Sequence, residues 1–366
     1  MKIPFVKLEA QWELERRSLL PIIEGVLTSG SYVGGERVSR FEKLAAEYCG
    51  VAYCAALNSG TDALMCALWA LGVRGGDEVI TPPNSFIAST AAIVHLGATP
   101  VFVDVLDNQL IDPNAIEKAI TDKTKAIMPV NLTGKIASMA KIQNIAEKYS
   151  ISIVEDAAQS MGSMLNGRMS GSFGHFGCFS THPLKNLNAC GDGGFVVSND
   201  EELILKIKAY RNHGFIERNI VNQFGLVSRM DELQSAILSF RIKKLDKVIT
   251  KRRENAKLYI NNLNSEYVKT PQEGAHEFDS YHTFVIQCHR RDELACVLRN
   301  AGIQTAIHYP TPIHLQPASE SLGYKIGDFP RVEAQASTIL TLPIHQFLEK
   351  EEISKIIKVI NNFYGY

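Results

Sequence analysis

The sequence lacks both a long uncharged run of apolar residues and any pair of closely spaced cysteines. Its first residues, MKIPFVKLEAQWELE, carry charges early and contain no apolar core, so they fit neither a secretion signal nor a membrane anchor. The seven cysteines are scattered without a CxxC pair, which is typical of reduced thiols and argues against a zinc site. We therefore expect a cytoplasmic protein without a metal site, in which most cysteines pack as small apolar side chains.

An excess of charge of either sign is also missing. The 38 Lys and Arg nearly balance the 39 Asp and Glu, so the composition gives no reason to expect nucleic acid or an anionic membrane as a partner. No GxGxxG motif follows an early apolar run, which argues against a nucleotide-binding dehydrogenase. With 366 residues, of which 45% are hydrophobic, the chain is long enough for one large and one smaller domain.

What the chain does have is an alternation of short runs rich in Val and Ile with stretches of helical spacing. The predicted strands are EVITPP (78–83), PVFVDV (100–105), KAIMPVNL (125–132) and ISIVEDAA (151–158). The predicted helices include the first 25 residues, 39–50 with Ser39 as N-cap and Gly50 as stop, 61–72 and 139–150. This alternation predicts an α/β domain with a mostly parallel sheet covered on both faces, whose ligand binds beyond the carboxyl ends of the strands.

The second half of the chain predicts a smaller domain. A long helical stretch from Arg229 to Leu263 carries many Lys and Arg and leads out of the large domain. A strand at YHTFVIQC (281–288), a helix at DELACVLRNAG and a further apolar segment at IQTAIHYP (303–310) then indicate a small α/β unit. We place the large domain, with its N-terminal helix, at 1–250 and the small C-terminal domain at 251–366.

Several groups that bind ligands follow the predicted strands. SGTDAL (59–64) is a glycine-containing turn that opens a helix, and its backbone N–H groups with the Thr61 hydroxyl can hold a phosphate. Asp156 ends the run ISIVED, and Gln159 follows three residues later. Alone, Asp156 is better explained as a helix cap or an arginine partner than as a ligand contact. Phe86 is either a core aromatic or a flat surface against a planar ligand.

Lys185 is the residue that connects these groups. It lies in THPLKNLNACGDGG (181–194), a loop too rich in glycine and asparagine to be helical. A carboxylate, a phosphate cradle, a flat aromatic surface and an amine together describe the binding needs of pyridoxal phosphate. Its pyridine nitrogen needs a carboxylate, and its aldehyde forms a Schiff base with a lysine whose usual pKa of about 10.4 the surroundings must offset.

The motifs, taken in order, resemble a known family over nearly the whole chain. They are SGTDAL, TPPNSFIAST, VEDAAQSMG, FSTHPLKNLNACGDGGF, RMDELQSAIL, HYP and FPRVEAQASTILTLPI. This order resembles the sugar aminotransferases of the DegT/DnrJ/EryC1/StrS family, and EDAAQ combined with KNLNACGDGG is its specific part. The resemblance implies an aspartate-aminotransferase-like fold of type I for pyridoxal phosphate, with a mostly parallel seven-stranded sheet in the large domain and a small C-terminal α/β domain. It also implies a homodimer in which both subunits build each active site.

The resemblance implies roles for individual residues. Lys185 would form the Schiff base and move the proton between substrate and cofactor, Asp156 would pair with the pyridinium nitrogen, and Gln159 would contact the phenolic oxygen. The remaining cofactor contacts would be the phosphate-binding Gly60, Thr61 and Ser180, with Phe86 covering the ring. Candidates for the substrate, each with packing or an ion pair as the alternative, are Tyr32, His182, Arg229, His308 and Lys135.

The implied reaction is a transfer of an amino group in two stages. An amino acid, expected to be glutamate, converts the cofactor to pyridoxamine phosphate, which then aminates a keto-sugar for surface polysaccharide or lipopolysaccharide. We expect a nucleotide-linked 3-keto or 4-keto 6-deoxyhexose; the alternative is a free acidic keto-sugar such as an 8-oxo octulosonate. Related dehydratases have histidine in place of Lys185, so the lysine favours transamination. An alternative of another class is a non-catalytic regulatory protein that binds pyridoxal phosphate.

Two segments depart from the family pattern. Val227 stands where the family commonly has an asparagine that reaches the phosphate of the other subunit. The loop NLTGKIAS replaces a sequence usually close to HLYGQP, which places Lys135 where the far end of the substrate is expected. The sequence leaves open the sugar, the position and stereochemistry of amination, the amino donor and the group that replaces the asparagine.

Overall fold

A central sheet with helices on both faces organises this computed structural model, which describes residues 2–365. The helices are α1 (Leu8–Ser29), α2 (Glu36–Cys49), α3 (Gly60–Ala70), α4 (Ile87–His95), α5 (Pro113–Ala119), α6 (Met139–Tyr149), α7 (Glu201–Tyr210), α8 (Glu232–Arg241), α9 (Leu245–Asn262), α10 (Arg291–Asn300), α11 (Pro330–Thr338) and α12 (Lys350–Phe363). Short 3-10 turns lie at Leu132–Gly134, Ile242–Lys244, Ile313–Leu315 and Pro317–Leu322.

The strands divide between one large sheet and smaller ones. In chain order they are β1 (Tyr53–Leu57), β2 (Glu78–Thr81), β3 (Thr99–Phe102), β4 (Thr124–Ile127), β5 (Ser152–Asp156), β6 (Met164–Leu165), β7 (Arg168–Met169), β8 (Phe176–Ser180), β9 (Gly194–Ser198), β10 (Phe215–Glu217), β11 (Ile220–Val221), β12 (Val268–Lys269), β13 (Glu277–Phe278), β14 (Phe284–Cys288) and β15 (Ile339–Leu342). The seven-stranded sheet has the order β1-β9-β8-β5-β4-β2-β3, and β12, β14 and β15 form a separate three-stranded sheet.

The large sheet confirms the predicted mostly parallel α/β architecture. The pairs β2–β3, β2–β4, β4–β5 and β5–β8 are parallel, and only β9 runs against its two neighbours. Because β5 and β8 are parallel and adjacent, their carboxyl ends meet at one edge, with Asp156 opposite Cys178. This register brings the ends of the VED and FST segments into one place.

The start of α2 differs from the prediction that Ser39 is its N-cap. The helix begins at Glu36, and its first N–H groups are satisfied from another helix. The buried Glu232 carboxylate of α8 accepts hydrogen bonds from the N–H groups of Gly35 at 2.9 Å and Val38 at 3.1 Å. A carboxylate supplied in this way replaces a local cap. Gly50 ends the helix as predicted, with a left-handed φ of 67°.

Two further expectations about elements need correction. The stretch from 229 to 263 forms two helices, α8 and α9, separated by a 3-10 turn. Segment 303–310 is not a strand; it makes only isolated bridges, from Ile303 to Ile3 and from Ala306 to Thr341. This segment therefore runs beside the small sheet as irregular chain.

Helix α9 passes from one hydrophobic core to another. Leu245 and Ile249 pack in a core of the large sheet, whereas Ala256 and Tyr259 pack in the core beneath the small sheet. Ile3 also belongs to that second core, so the first residues pack against the C-terminal part of the chain. The division into domains at 250 stays a prediction, and the change of core along α9 is compatible with it.

The cysteines carry no disulfide within residues 2–365. Five are buried, at positions 49, 54, 66, 178 and 288, and Cys190 and Cys296 are exposed. The buried thiols pack in apolar surroundings, in agreement with the predicted role as small hydrophobic side chains. None of the helices within the same range is both long and apolar enough to cross a membrane.

Replacing Glu232 tests whether its carboxylate holds the start of α2. Glu232→Ala leaves buried N–H groups without their acceptor and removes the carboxylate partner of the Arg37 guanidinium, so we expect the free energy of unfolding to fall by about 3 kcal/mol. The measurement is urea denaturation of the purified protein. Glu254→Ala, which removes an exposed partner of Lys251, is the control and should leave stability unchanged. Equal effects of the two substitutions would contradict this account.

Candidate active site

A cavity of about 360 Å³ lies at the carboxyl ends of β5 and β8. It collects most of the residues that the sequence singles out. Those that line it are Gly60, Thr61, Phe86, Asp156, Gln159, Ser180, His182, Lys185 and His308. The topology explains this gathering, because each of these residues follows a strand or lies in a loop at the same edge of the chain's sheets.

One end of the cavity offers hydrogen-bond donors of the kind that bind a phosphate. Helix α3 begins at Gly60, with the Ser59 side chain accepting a hydrogen bond from the Asp62 N–H at 3.1 Å. Ser180 ends β8 directly beside it: a Cβ at Gly60 would lie 2.7 Å from the Ser180 Cβ, so only glycine fits there. Helix N–H groups and the hydroxyls of Thr61 and Ser180 therefore converge on a space that a phosphate can fill.

Asp156 is held in a defined orientation inside the cavity. One carboxylate oxygen accepts a hydrogen bond from the Ser89 hydroxyl at 2.6 Å, and the other accepts one from the Ala158 N–H at 3.2 Å. Burial raises the pKa of Asp156, and these hydrogen bonds and the Lys185 charge counteract the rise. Within residues 2–365 no arginine pairs with Asp156. The carboxylate is thus available to the pyridine nitrogen of a planar ligand.

Lys185 lies in the non-helical loop between β8 and β9, as predicted. Its backbone N–H donates to the His182 carbonyl at 2.8 Å, and its side chain lines the cavity. Burial lowers the pKa of Lys185 to about 8, and the Asp156 carboxylate opposes that shift. A lysine of this kind has a much larger fraction of free amine at neutral pH than one in solvent.

Gln159 is fixed by contacts at both ends of its amide. Its oxygen accepts a hydrogen bond from the Thr133 N–H at 2.9 Å, and its nitrogen lies 3.4 Å from the Tyr309 hydroxyl. The amide N–H groups are therefore directed to the side of the cavity where Tyr309 lies. The Tyr309 ring stands 5.8 Å from that of Phe86. Phe86 is 56% exposed, so it is a surface beside the cavity and not a core aromatic.

The wall opposite the large sheet is rich in nitrogen-containing side chains. His308 forms a hydrogen bond with the Thr341 hydroxyl at 2.9 Å, and burial lowers its pKa to about 4. Burial also lowers the pKa of His282 well below its usual value, so both rings are neutral. Sequence reasoning missed His282, His345 and Arg252, which line the same wall. No short motif marks them, because Arg252 comes from helix α9 and the two histidines come from two separate loops.

Lys135 does not line the cavity, which corrects its assignment as a substrate contact. Its ammonium is buried and lies 2.8 Å from Asp279, 2.6 Å from Glu277 and 2.9 Å from the Gln272 carbonyl oxygen. The two carboxylates raise the pKa of Lys135 against the lowering effect of burial. Lys135 therefore ties the loop after β4 to the segment around β13.

Tyr32 and Arg229 also lie outside the cavity of their own chain. The Tyr32 side chain is half exposed, and its hydroxyl donates to the Leu27 carbonyl at 3.3 Å. Arg229 donates to the Asn212 side-chain oxygen at 2.9 Å. Val227 is half exposed and pairs through its backbone with Asn212. Contacts of Tyr32 and Arg229 with a substrate stay predictions that need a second subunit.

The glycine at the start of α3 offers a test of the phosphate cradle. Gly60→Ala places a Cβ against Ser180, so we expect the affinity for pyridoxal phosphate to fall at least about tenfold. The affinity is measured by titrating the apoprotein with the cofactor and following its visible absorption. Gly25→Ala is the control, because a Cβ there meets no atom within 4 Å. Unchanged cofactor affinity in Gly60→Ala would place the phosphate elsewhere.

Comparison with known families agrees with this site. The model of the DegT/DnrJ/EryC1/StrS aminotransferase family matches residues 15–361. The chain is 38% identical over 370 residues to a protein named pleiotropic regulatory protein from Geobacillus stearothermophilus, with 100% of both chains covered. It is 40% identical over 359 residues to a UDP-N-acetyl-3-dehydro-alpha-D-glucosamine 3-aminotransferase from Acidithiobacillus ferrooxidans, covering 98% of this chain and 97% of the relative. Other similar transaminases are also named for sugars with an amino or oxo group at C3, one of them a 3-oxo-glucose-6-phosphate.

Solved structures show the same fold and a bound form of the cofactor. DesV from S. venezuelae superposes with a TM-score of 0.97 at 38% identity, covering 100% of this chain and 99% of that one. NtdA from Bacillus subtilis, solved with bound pyridoxamine phosphate, has a TM-score of 0.92 at 33% identity, covering 99% of this chain and 85% of that one. The fold is therefore the aspartate-aminotransferase-like fold of type I. The chain belongs to the DegT/DnrJ/EryC1/StrS aminotransferase family and is a pyridoxal-phosphate-dependent sugar aminotransferase.

Proposed function

We propose that this enzyme transfers the amino group of glutamate to the 3-keto group of a nucleotide-linked hexose. The observation that carries the proposal is the arrangement of Lys185, Asp156 and the Gly60 cradle around one cavity. The names of the similar transaminases support C3 as the site of amination. We assign the amino-sugar product to surface polysaccharide or lipopolysaccharide synthesis in the cytoplasm.

In this proposal most of the named cavity residues bind the cofactor, and Lys185 transfers protons. When bound, pyridoxal phosphate supplies an aldehyde that reacts with amines and a ring that accepts electrons. In our proposal the α3 N-terminus, Thr61 and Ser180 hold its phosphate, and Phe86 covers its ring. Asp156 holds a proton on the pyridine nitrogen, and the Ser89 hydroxyl keeps the carboxylate in the required orientation. Gln159 directs an amide N–H to the phenolic oxygen.

Lys185 is the proposed base and acid of both half-reactions. A pKa of about 8 leaves roughly a tenth of its side chains as free amine at pH 7, against less than a thousandth for an unperturbed lysine. With the cofactor bound, the free amine of Lys185 would be able to take a proton from the substrate carbon and later give it back. The same amine is the nucleophile toward the aldehyde.

The alternatives are weaker on the geometry of the described residues. The free octulosonate hypothesis relied on Lys135 and Arg229 as positive charges near the substrate. Lys135 is buried in its own ion pairs, and Arg229 lies outside the cavity of its own chain. The regulatory name of the similar Geobacillus protein supports the non-catalytic alternative, but the matched family is one of aminotransferases. Against that alternative also stands Lys185, whose amine lines the cavity together with the Asp156 carboxylate.

We further propose that the enzyme works as a homodimer. The segment around the β10–β11 hairpin carries an unusual amount of exposed apolar surface, with Phe224 99% exposed and Ile216 57% exposed. Isolated exposed apolar residues are ordinary, but a contiguous group of them favours a subunit contact. A partner there would shield this surface and offers a place for Arg229 and Tyr32 to act in the neighbouring site.

Absorption spectroscopy tests the proposed function. The purified holoenzyme should show a visible band that glutamate bleaches and that a 3-keto nucleotide hexose restores. In Lys185→Ala the visible band should no longer respond to glutamate, and turnover should fall at least about a thousandfold. Restoration by the matching 4-keto sugar, or by 3-oxo-glucose-6-phosphate alone, would contradict the assigned acceptor. A band that responds to no amino acid would contradict transamination and favour the regulatory alternative.

The pH dependence of the keto-sugar step tests the role of the Lys185 amine. Its pKa is lowered to about 8, so the fraction of neutral amine rises with pH up to about 8 and then levels off. We expect the single-turnover rate of the pyridoxamine phosphate form with keto-sugar to rise about tenfold per pH unit below pH 7.5. Stopped-flow absorption gives this rate. A rate that stays constant between pH 6 and 9 would assign the proton transfer to another group.

A further inference from the structure

Three buried nitrogen atoms on one wall of the cavity have no hydrogen-bond partner among residues 2–365. They are Nε of Arg252, Nδ1 of His282 and Nδ1 of His345. All three residues line the cavity. Buried polar groups are usually paired, so three residues with an unpaired nitrogen that line one cavity favour a polar ligand there.

Arg252 supplies a positive charge that no acidic side chain balances. The residue lies on α9 and is 5% exposed. Its Nη1 donates to the carbonyl oxygens of Tyr281 at 3.2 Å and His282 at 3.1 Å, and no carboxylate of residues 2–365 pairs with it. Burial lowers its pKa to about 10, so the guanidinium remains charged at neutral pH. A buried charge without a counterion favours an anionic ligand.

Its surroundings also favour an anion. The positive charges of Lys185 and Arg252 both act on His282, which therefore lies near both of them. Lys185, Arg252 and His345 also line a second cavity of about 20 Å³ beside the first. The carboxylates that line the main cavity are those of Asp156, bound by Ser89 and Ala158, and Asp192.

We propose that Arg252, with His282, forms a carboxylate subsite that holds the α-carboxylate of the amino donor. The inference rests on the proposed function, because it assumes that an amino acid reacts beside Lys185. In every α-amino acid the carboxylate is attached to the carbon that carries the amine. A carboxylate held next to Lys185 thus places the reacting carbon within reach of the amine, and the free N–H groups of Arg252 match carboxylate geometry.

A purely structural role is the competing explanation. Arg252 connects α9 to residues 281 and 282 through backbone carbonyls, and a second arginine makes the same kind of connection. Arg291 is buried and donates to the carbonyl oxygens of Ala336 at 3.2 Å and Ile339 at 2.9 Å, but it does not line the cavity. Unlike Arg252, it also pairs with a carboxylate, that of the exposed Asp292, at 2.6 Å. Arg291→Gln is therefore a matched control for the loss of a buried arginine.

Binding of glutarate, which has two carboxylates and no amine, separates the two explanations. Isothermal titration of the holoenzyme should show glutarate binding that weakens at least about tenfold in Arg252→Gln. His282→Phe, which leaves the Arg252 charge in place, should weaken it about threefold. Arg291→Gln should bind glutarate like the wild type. Cofactor content and melting temperature are recorded for each variant, and His282→Phe decides the matter if Arg252→Gln does not fold.

The rates of the two half-reactions then show whether the subsite binds the carboxylate of the amino donor or a group of the keto-sugar. We expect kcat/KM for glutamate to fall at least about tenfold in Arg252→Gln, with the keto-sugar step unchanged. Equal losses in both steps, or a loss confined to the keto-sugar step, would overturn the donor assignment. Absence of glutarate binding to the wild type, or wild-type affinity in both cavity variants, would overturn the subsite. If the subsite binds glutarate but no amino acid alters the spectrum, the subsite stands and the proposed function fails.

Discussion

Burial acts in opposite directions on the two charged groups at the centre of this site. It raises the pKa of the Asp156 carboxyl and lowers that of the Lys185 ammonium, and the electrostatic attraction between the two counteracts both shifts. Because these effects oppose each other, Asp156 can remain a carboxylate that keeps a ring nitrogen protonated. Lys185 can act as an amine that gives and takes protons. The rest of the structure serves to keep these two groups close and correctly oriented.

The sheet achieves this with neighbouring residues on one strand. Side chains alternate between the faces of β5, so Glu155 and Asp156 point in opposite directions. The Glu155 carboxylate accepts hydrogen bonds from the N–H groups of Gly171 at 2.9 Å and Gly174 at 3.0 Å, which fixes the chain leading into β8. Asp156 faces the cavity, and β8 ends at Ser180 beside the phosphate cradle. Strand β5 thus positions both Glu155, which fixes the chain before β8, and Asp156, which faces the cavity.

Features that depend on residues close together in the sequence could be predicted, whereas features that depend on residues far apart could not. Asp156, Gln159 and Lys185 could be predicted because each follows an apolar run, and parallel strands bring their carboxyl ends together. The helix stop at Gly50 is likewise a local property of the backbone. The start of α2 could not be predicted, because Glu232, which caps it, lies almost two hundred residues later. The assignment of Lys135 to the substrate was wrong for the same reason, because its ion-pair partner Asp279 lies far away in the sequence. Arg252 could not be singled out from the sequence, because its helix carries four other basic residues.

The most direct test asks where the cofactor is attached. The holoenzyme is reduced with borohydride, digested, and the peptide that carries the cofactor mass is sequenced by mass spectrometry. We predict a single modified position, Lys185, because its amine lines the cavity with a pKa of about 8. Attachment at another lysine, or no attachment in a protein that binds the cofactor, would contradict the assignment of Lys185 as the reactive residue.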